Sequence, residues 1–409
     1  MKTSSRRVVI VGAKRTPIGR FGGRLSSRSP AQLGLYAARA ALGLIEASSV
    51  QAVIIGQVLS AGHGMNIARQ ISVKVGVPLE VPAFTINMMC GSGLHAASQA
   101  ALAIRSGEAD VVLCGGVESM SQSPLLVTRP RKGQTTDFSS ASDSMQSEGL
   151  LDAFSGQHMG ITAERLASEY SIDRKLQDQF AERSQHLYAA ANAAGIFDEE
   201  RIQLDDVFQD EHPRPEVTAA SLGTLTPIFR EDGTVTAGNS SGINDGAAML
   251  VLSDAATAQR RGYPILAEWA ADSAIGCEPE RMGLGPVHAI QKLLQKTNVA
   301  WSEIDHVEVN EAFAAQTLAC VRELERRGLR MRPIGAGDPD RSVPASEALP
   351  VLNPHGGAIA LGHPLAASGA RLVCHAASQI RQQRAAQVIV SLCVGGGMGV
   401  GALLREFRE

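Results

Sequence analysis

A chain of 409 residues with 44% hydrophobic content can bury a large core spread over two or three structural units. Its 38 Lys and Arg against 41 Asp and Glu leave a net charge of −3, which supplies no general field for nucleic acid or an anionic membrane. Six cysteines (Cys90, Cys114, Cys277, Cys320, Cys374 and Cys393) lack C-x-x-C spacing, so neither a metal site nor a disulfide framework is expected and the individual thiols become the objects of interest.

Residues 1–7 run straight into the apolar strand Val8-Val9-Ile10-Val11, and the Arg6-Arg7 pair lacks the apolar run of an export signal. A cytoplasmic protein is expected; no stretch reaches the ~18 apolar residues of a membrane span. After a turn at Gly12-Ala13-Lys14-Arg15-Thr16-Pro17 come an alanine-rich helix at about 31–44 and a buried strand at Val53-Ile54-Ile55-Gly56. Phe84-Thr85-Ile86-Asn87 is short and partly β-branched, whereas 94–104 is rich in alanine and leucine without proline. Extended chain therefore gives way to helix near Cys90. A cysteine at that bend faces a helix N-terminus, whose unpaired N–H groups and dipole favour the nucleophilic thiolate. The same stretch is equally compatible with a cysteine packed as a small hydrophobe. The strand at 109–114 ends in Gly115-Gly116, and apolar strands alternating with helices indicate a parallel or mixed sheet covered on both faces.

From 119 to 147 the composition turns to Ser, Thr, Gln, Pro and basic residues. Helical segments at 161–170 and 174–194 and a polar stretch through Asp210-Glu211-His212-Pro213-Arg214-Pro215 follow, so 120–243 reads as a subdomain inserted into a first half made of 1–119 and 244–272. The remaining 273–409 repeats the first half. Ser92-Gly93, a helix, Val111-Val112-Leu113 and Gly115-Gly116 find counterparts in Ser368-Gly369, a helix, Val388-Ile389-Val390 and Gly395-Gly396, and Ala96-Ala97-Ser98-Gln99 returns as Ala376-Ala377-Ser378-Gln379. Two such halves packed about a pseudo-twofold axis bring the loop of Cys90 near those of His363 and Cys393.

His363, between glycine and Pro364, sits at a rigid turn from which its ring can reach another loop as a base for Cys90. Cys393 stands at a strand end before Gly395-Gly396-Gly397, whose backbone N–H groups can approach a ligand as an oxyanion site needs. Asn310 follows the strand Val307-Glu308-Val309. Taken singly, a histidine is more often structural, a glycine run a turn and an asparagine a cap. Two thiols, a histidine and an asparagine, each at a strand–loop boundary, form a far more specific pattern.

The segments Asn87-Met88-Met89-Cys90-Gly91-Ser92-Gly93, Asn310-Glu311-Ala312-Phe313, Gly356-Gly357-Ala358-Ile359-Ala360-Leu361-Gly362-His363-Pro364 and Cys393-Val394-Gly395-Gly396-Gly397-Met398-Gly399 resemble the four active-site motifs of the thiolases. Arg15-Thr16-Pro17, Gly115-Gly116-Val117-Glu118-Ser119-Met120-Ser121 and Gly238-Asn239-Ser240-Ser241-Gly242 extend the likeness, in family order, over almost the whole chain. The resemblance implies an α/β thiolase fold, with two βαβαβαββ halves in a layered αβαβα core and an inserted loop domain that binds coenzyme A. It implies that Cys90 carries the acyl group, that His363 takes its proton and that Cys393 removes the α-proton of a second thioester. His363 and a water on Asn310 would hold the enolate oxygen, and the N–H groups of Cys90 and Gly395 the acyl oxygen. No cofactor is expected, since coenzyme A thioesters are substrates.

By the same resemblance His158 and Met159 line the pantetheine and acyl pocket, Ser241 meets the pantetheine amide and Arg214 lies beside the nucleotide. Leu150, Phe229, Ala237, Met282 and Phe313 fall at pocket-lining positions. Without the family, the methionines read as core filler and Arg214 as a solvated charge. Three departures stand out. His355 replaces an asparagine and adds a titrating ring near the site, Ala366 replaces a glycine, and about twenty extra residues fall within 322–351, with basic runs at 326–332 and 337–341 that read as solvated surface. The expected activity is reversible Claisen condensation of two acetyl-CoA to acetoacetyl-CoA and CoA by a homotetramer or homodimer. The rivals are a degradative 3-ketoacyl-CoA thiolase for longer chains and a non-catalytic acyl-CoA-binding scaffold.

Overall fold

The computed structural model describes residues 6–127, 141–205, 207–332 and 349–408. An 11-stranded mixed sheet runs through the molecule and is built twice over. In the first half the strands Ala83–Ile86, Ala52–Gly56 and Val111–Ser119 are parallel neighbours, and Asn244–Asp254 and Val8–Arg15 follow antiparallel. In the second, Val351–Leu352, His306–Val309 and Gln387–Val394 are parallel, and Met398–Arg405 and Ala267–Gly276 follow antiparallel. The innermost strands of the two halves meet antiparallel at Val9 and Ile10 against Glu268 and Ala267. The twofold repeat in the sequence is thus a twofold repeat of topology.

Strand side chains point alternately to the two faces, and each face has its own helices. Ile10, Ile54, Val112 and Leu250 of the first half, with Val388, Val390 and Leu404 of the second, pack on a shared layer formed by the helices Ser92–Ser106 and Leu365–Arg381. Val9, Val53, Leu113 and Val251 turn outward to the helices Pro30–Leu42 and Ile67–Val75. Val307, Val309, Ile389 and Leu403 turn outward to Gly285–Thr297 and Ala314–Arg326. The layers therefore run helix, sheet, helix, sheet, helix, as an α/β thiolase fold requires.

The two central helices approach too closely for side chains at their crossing. A Cβ on Gly93 would lie 2.4 Å from the Ala366 carbonyl oxygen, and one on Gly369 would lie 2.7 Å from the Leu94 nitrogen. These glycines are equivalent positions of the repeat, so the tight contact is itself symmetric.

Within 120–243 the helices Met159–Glu169 and Arg174–Ala193 are laid against the other half of the chain: Leu166, Tyr170 and Phe180 join the core of Val287, Leu318 and Ile359. Buried polar ties hold the segment to both halves, Ser184 to Glu311 of the second and Glu200 and Asp210 to Arg15 of the first. Glu311 accepts from Ser184 Oγ (2.5 Å) and Asn353 Nδ2 (2.8 Å), and Arg15 pairs with Glu200 (2.6 Å) and Asp210 (2.7 Å). Of the extra residues in 322–351, Arg326 lies 4.7 Å over the Tyr170 ring and Arg327 pairs with Glu323 at 2.7 Å, an ordinary surface arrangement. The second basic stretch, 337–341, lies outside the described residues.

Candidate active site

Cys90 follows a turn tied down at every position. Met89 takes a left-handed φ of +46°, which a bulky residue adopts only when its surroundings impose it. The ties are local: Asn87 Oδ1 accepts the Met89 N–H (3.0 Å), Ser92 Oγ accepts the Met88 N–H (2.8 Å), and the Ser92 hydroxyl donates to the Met89 carbonyl (2.6 Å). The sequence position predicts a thiolate favoured by the helix behind it; the structure reverses that balance. Burial pushes the Cys90 thiol up to about 12, the charge of Glu118 adds to the rise, and the N–H groups of Cys90 and Gly395 offset only part of it. A thiol in this condition needs a base that acts during reaction.

His363 can be that base. Burial, and then the charge of Arg371, depress its pKa to about 3, so the ring is neutral. Its backbone N–H donates to Asn244 Oδ1 at 2.9 Å. Nδ1 lies 2.6 Å from Ser368 Oγ, and that hydroxyl is 3.3 Å from the Pro364 carbonyl oxygen. We assign the Ser368 hydroxyl as donor to Pro364 and acceptor from Nδ1–H, which leaves the Nε2 lone pair available. Nε2 has no hydrogen-bond partner among the described residues.

Cys393 ends the strand Gln387–Val394 and is held well above the ordinary thiol range by burial and by the nearby Cys90. The Gly395 N–H reaches Cys90, at the start of a bend in which Gly396 and Gly397 both take φ +82°. Asn310 is fully buried; its Nδ2 stands 3.4 Å from His363 Nδ1 and its Oδ1 has no partner among the described residues.

A single cavity of about 680 Å³ collects Cys90, His363, Cys393 and Gly395 on one wall. Every expected substrate-side residue lines it too: His158, Met159, Leu150, Arg214, Ser241, Phe229, Ala237, Met282 and Phe313. Asn310 stands apart, beside His363 and off the lining. His158 caps the helix Met159–Glu169 through Nδ1, which accepts the Gly160 N–H at 3.0 Å, so Nε2 carries the proton and points a donor elsewhere. Burial lowers its pKa. Its ring stacks on Phe229 at 4.6 Å, and Phe229 meets Phe313 edge-on at 5.9 Å. Phe313 and Met282 are only 8% and 3% exposed, so this end of the cavity is a closed apolar wall. Gly160 makes room for it, since a Cβ there would lie 2.2 Å from the Phe229 ring.

Several residues around the site were not singled out by sequence reasoning. Glu118, fully buried, accepts the N–H groups of Val58 (3.1 Å), Leu59 (3.0 Å) and Ala366 (3.1 Å), and burial raises it to about 7. It ties the strand end at 58–59 to the residue after His363-Pro364-Leu365. His212 lines the cavity against Gly242 and is depressed to about 4 by burial and by Arg214. Glu118 lies inside the motif Gly115–Ser121, which was its signal; His212 lies in the polar stretch 210–215, beside Arg214, with no motif to mark it. Ser368 was visible only as part of the repeat. His355, expected near the site, does not line the cavity. Its Nδ1 is 3.0 Å from His375 Nε2, its ring stands edge-on to His306 and His375, and burial with those neighbours drives it to about 3, far from a neutral-pH titration.

Comparison with known proteins agrees with this geometry. Residues 8–256 match the thiolase N-terminal domain and residues 263–406 the thiolase C-terminal domain. An acetyl-CoA acetyltransferase of Pseudomonas aeruginosa is 42% identical over 408 residues, covering 97% of this chain and 98% of the relative. A probable acetyl-CoA acetyltransferase of Escherichia coli is 42% identical over 409 residues, covering 98% and 99%. Human mitochondrial 3-ketoacyl-CoA thiolase, solved in complex with CoA, superposes with a TM-score of 0.89 at 38% identity, covering 98% of each chain. The chain belongs to the thiolase family. It is an acyltransferase, of the class that makes and breaks carbon–carbon bonds between acyl-CoA units.

Proposed function

We propose that the protein interconverts two acetyl-CoA with acetoacetyl-CoA and free CoA through an acyl-enzyme on Cys90. In the first half-reaction His363 Nε2 takes the Cys90 proton as the sulfur attacks the thioester carbonyl, and the oxyanion is received by the N–H groups of Cys90 and Gly395. The carbonyl reforms, the C–S bond to CoA breaks, and the CoA sulfur leaves with the proton of Cys393, while the proton taken from Cys90 stays on His363. In the second, Cys393 takes the α-proton of a second acetyl-CoA and the resulting enolate, whose oxygen faces His363, attacks the acyl carbon. A carbon–carbon bond forms, the Cys90–acyl bond breaks, the α-proton stays on Cys393, and the proton on His363 returns to the Cys90 thiolate. Thiolysis runs the same steps backwards. Asn310 serves this scheme beside His363, directly or through a water. Arg214, Ser241 and His158 are placed to hold the thioester's CoA arm, and no resident cofactor enters any step.

The short-chain reading rests on the apolar wall of Phe229, Phe313 and Met282 packed with Cys393, which we read as the stop for the acyl chain. The test compares CoA-dependent cleavage of acetoacetyl-CoA with that of 3-ketohexadecanoyl-CoA. Cleavage of the short substrate at least a hundredfold faster supports the assignment, comparable rates refute it, and no cleavage of either leaves an acyl-CoA-binding scaffold. Peptide mass spectrometry after incubation with acetyl-CoA checks the intermediate: acetyl label on Cys90 alone is expected, and label elsewhere or none contradicts the mechanism.

A further inference from the structure

A second cavity, of about 420 Å³, lies where the end of the helix Pro30–Leu42, the strand Val8–Arg15 and the helix Leu365–Arg381 come together. It shares no lining residue with the catalytic cavity. Val11, Ala13, Ala41, Ile45 and Leu266 give it an apolar floor. Three cations stand on its walls: Lys14, Arg261 and Arg381. Two carboxylates also face it, but Glu200 has both oxygens committed, Oε1 to Arg15 (2.6 Å) and Oε2 to His375 (2.7 Å), which leaves only the exposed Glu199 in opposition. Arg381 is exposed and has no ion-pair partner among the described residues. A cationic rim above a hydrocarbon floor suits an anion with an aliphatic body. A nucleotide is a poor fit, since Tyr263 is the only aromatic ring in the lining.

The cavity is also wired to the active site. The Lys14 ammonium donates to the Glu199 carbonyl oxygen, and the Arg15 N–H donates to the Glu200 carbonyl oxygen at 2.7 Å. The Arg15 guanidinium then bridges Glu200 to Asp210 (2.7 Å), and Asp210 directly precedes Glu211, His212, Pro213 and Arg214, which line the catalytic cavity. An anion that draws Lys14 away from Glu199 acts on the turn that positions Glu200, and through Arg15 on the segment that faces the substrate. The Lys14 bond is exposed and open to a ligand, whereas the Arg15 pairs with Glu200 and Asp210 are buried, so their rearrangement is not screened by solvent.

We propose that this cavity is a second binding site, for a monocarboxylate with a medium-length hydrocarbon chain, whose occupancy is transmitted to the catalytic cavity through Lys14, Glu200, Arg15 and Asp210. The site is independent of the reaction assigned above, and its binding arm is read without activity. Decanoate is titrated calorimetrically into the full-length protein after iodoacetamide has alkylated Cys90 in the catalytic cavity. Binding with one-to-one stoichiometry is expected, weakened at least tenfold by Arg381→Glu and by Lys14→Gln, with inorganic phosphate and AMP failing to compete. Binding that disappears on alkylation, that Arg381→Glu leaves unchanged, or that AMP displaces overturns the proposal. For the transmission, decanoate is expected to shift the KM for acetoacetyl-CoA severalfold in the unmodified protein and to leave it unshifted in Arg381→Glu. Binding without that shift overturns the coupling.

Discussion

Cys90 sits between opposed influences, burial and Glu118 on one side and two backbone N–H groups on the other, with the first pair winning. Its alkylation by iodoacetamide should therefore accelerate with pH through pH 9 without levelling; a plateau below pH 8 would show a thiolate already formed at rest. Replacing His363 with Ala or Asn should lower kcat by about 10²–10⁴-fold while the protein remains folded, measured as acetoacetyl-CoA cleavage. Two other residues make stability depend on pH in opposite directions. Glu118 is raised from 4.5 to about 7, so its contribution is complete below 4.5 and is lost as pH climbs through 7, by about 3 kcal/mol at most. His355 is lowered from 6.5 to about 3, so its contribution is complete above 6.5 and is lost as pH falls towards 3. His355→Asn removes the second dependence alone. Its urea midpoint should fall less than that of the parent between pH 6.5 and 4, and an equal fall in both would place the acid sensitivity elsewhere.

Elements were legible in the sequence where one physical signal governed them. The alanine-rich helices, the β-branched strands and the glycine at each bend follow from periodicity and backbone freedom, and the bend at Cys90 appears where the pattern changes period. The repeat foretold which loops meet, because two equal topologies place equivalent strand ends together. What stayed hidden was the partnering of buried polar groups: neither the three N–H groups on Glu118 nor the edge-on cluster of His306, His355 and His375 leaves a periodic trace. For the same reason the sequence suggested a stabilised thiolate, since a helix terminus can be read from residue types and desolvation cannot. At this scale the helix crossing is the sensitive contact. Gly93→Ala or Gly369→Ala should cost about 2 kcal/mol or more in a denaturation experiment, because backbone atoms must separate to admit the methyl group. Phe229→Ala should open the apolar wall and raise the rate on 3-ketohexanoyl-CoA relative to acetoacetyl-CoA about tenfold; an unchanged ratio would remove Phe229 from chain-length selection.

Across the whole molecule, the site is assembled from both halves: Cys90 and Glu118 come from the first, His363 and Cys393 from the second, and the 120–243 segment closes the substrate side while packing on the second half. Arg15 holds part of that arrangement, fully buried between Glu200 and Asp210. Arg15→Met leaves Glu200 with His375 and Asp210 with Arg201 but removes the buried cation between them, and should destabilise the protein by about 3 kcal/mol, read from the denaturant midpoint. The symmetric crossing at Gly93 and Gly369 is where the two halves are set against each other, and the Cys90 and His363 loops lead directly into those helices. In the mechanism we propose, proton transfer between groups on different halves tolerates only fractions of an ångström, so turnover would serve as a gauge of how faithfully the halves are registered. In dilute urea or under mild pressure, the enzyme should fall silent while its circular dichroism is still intact.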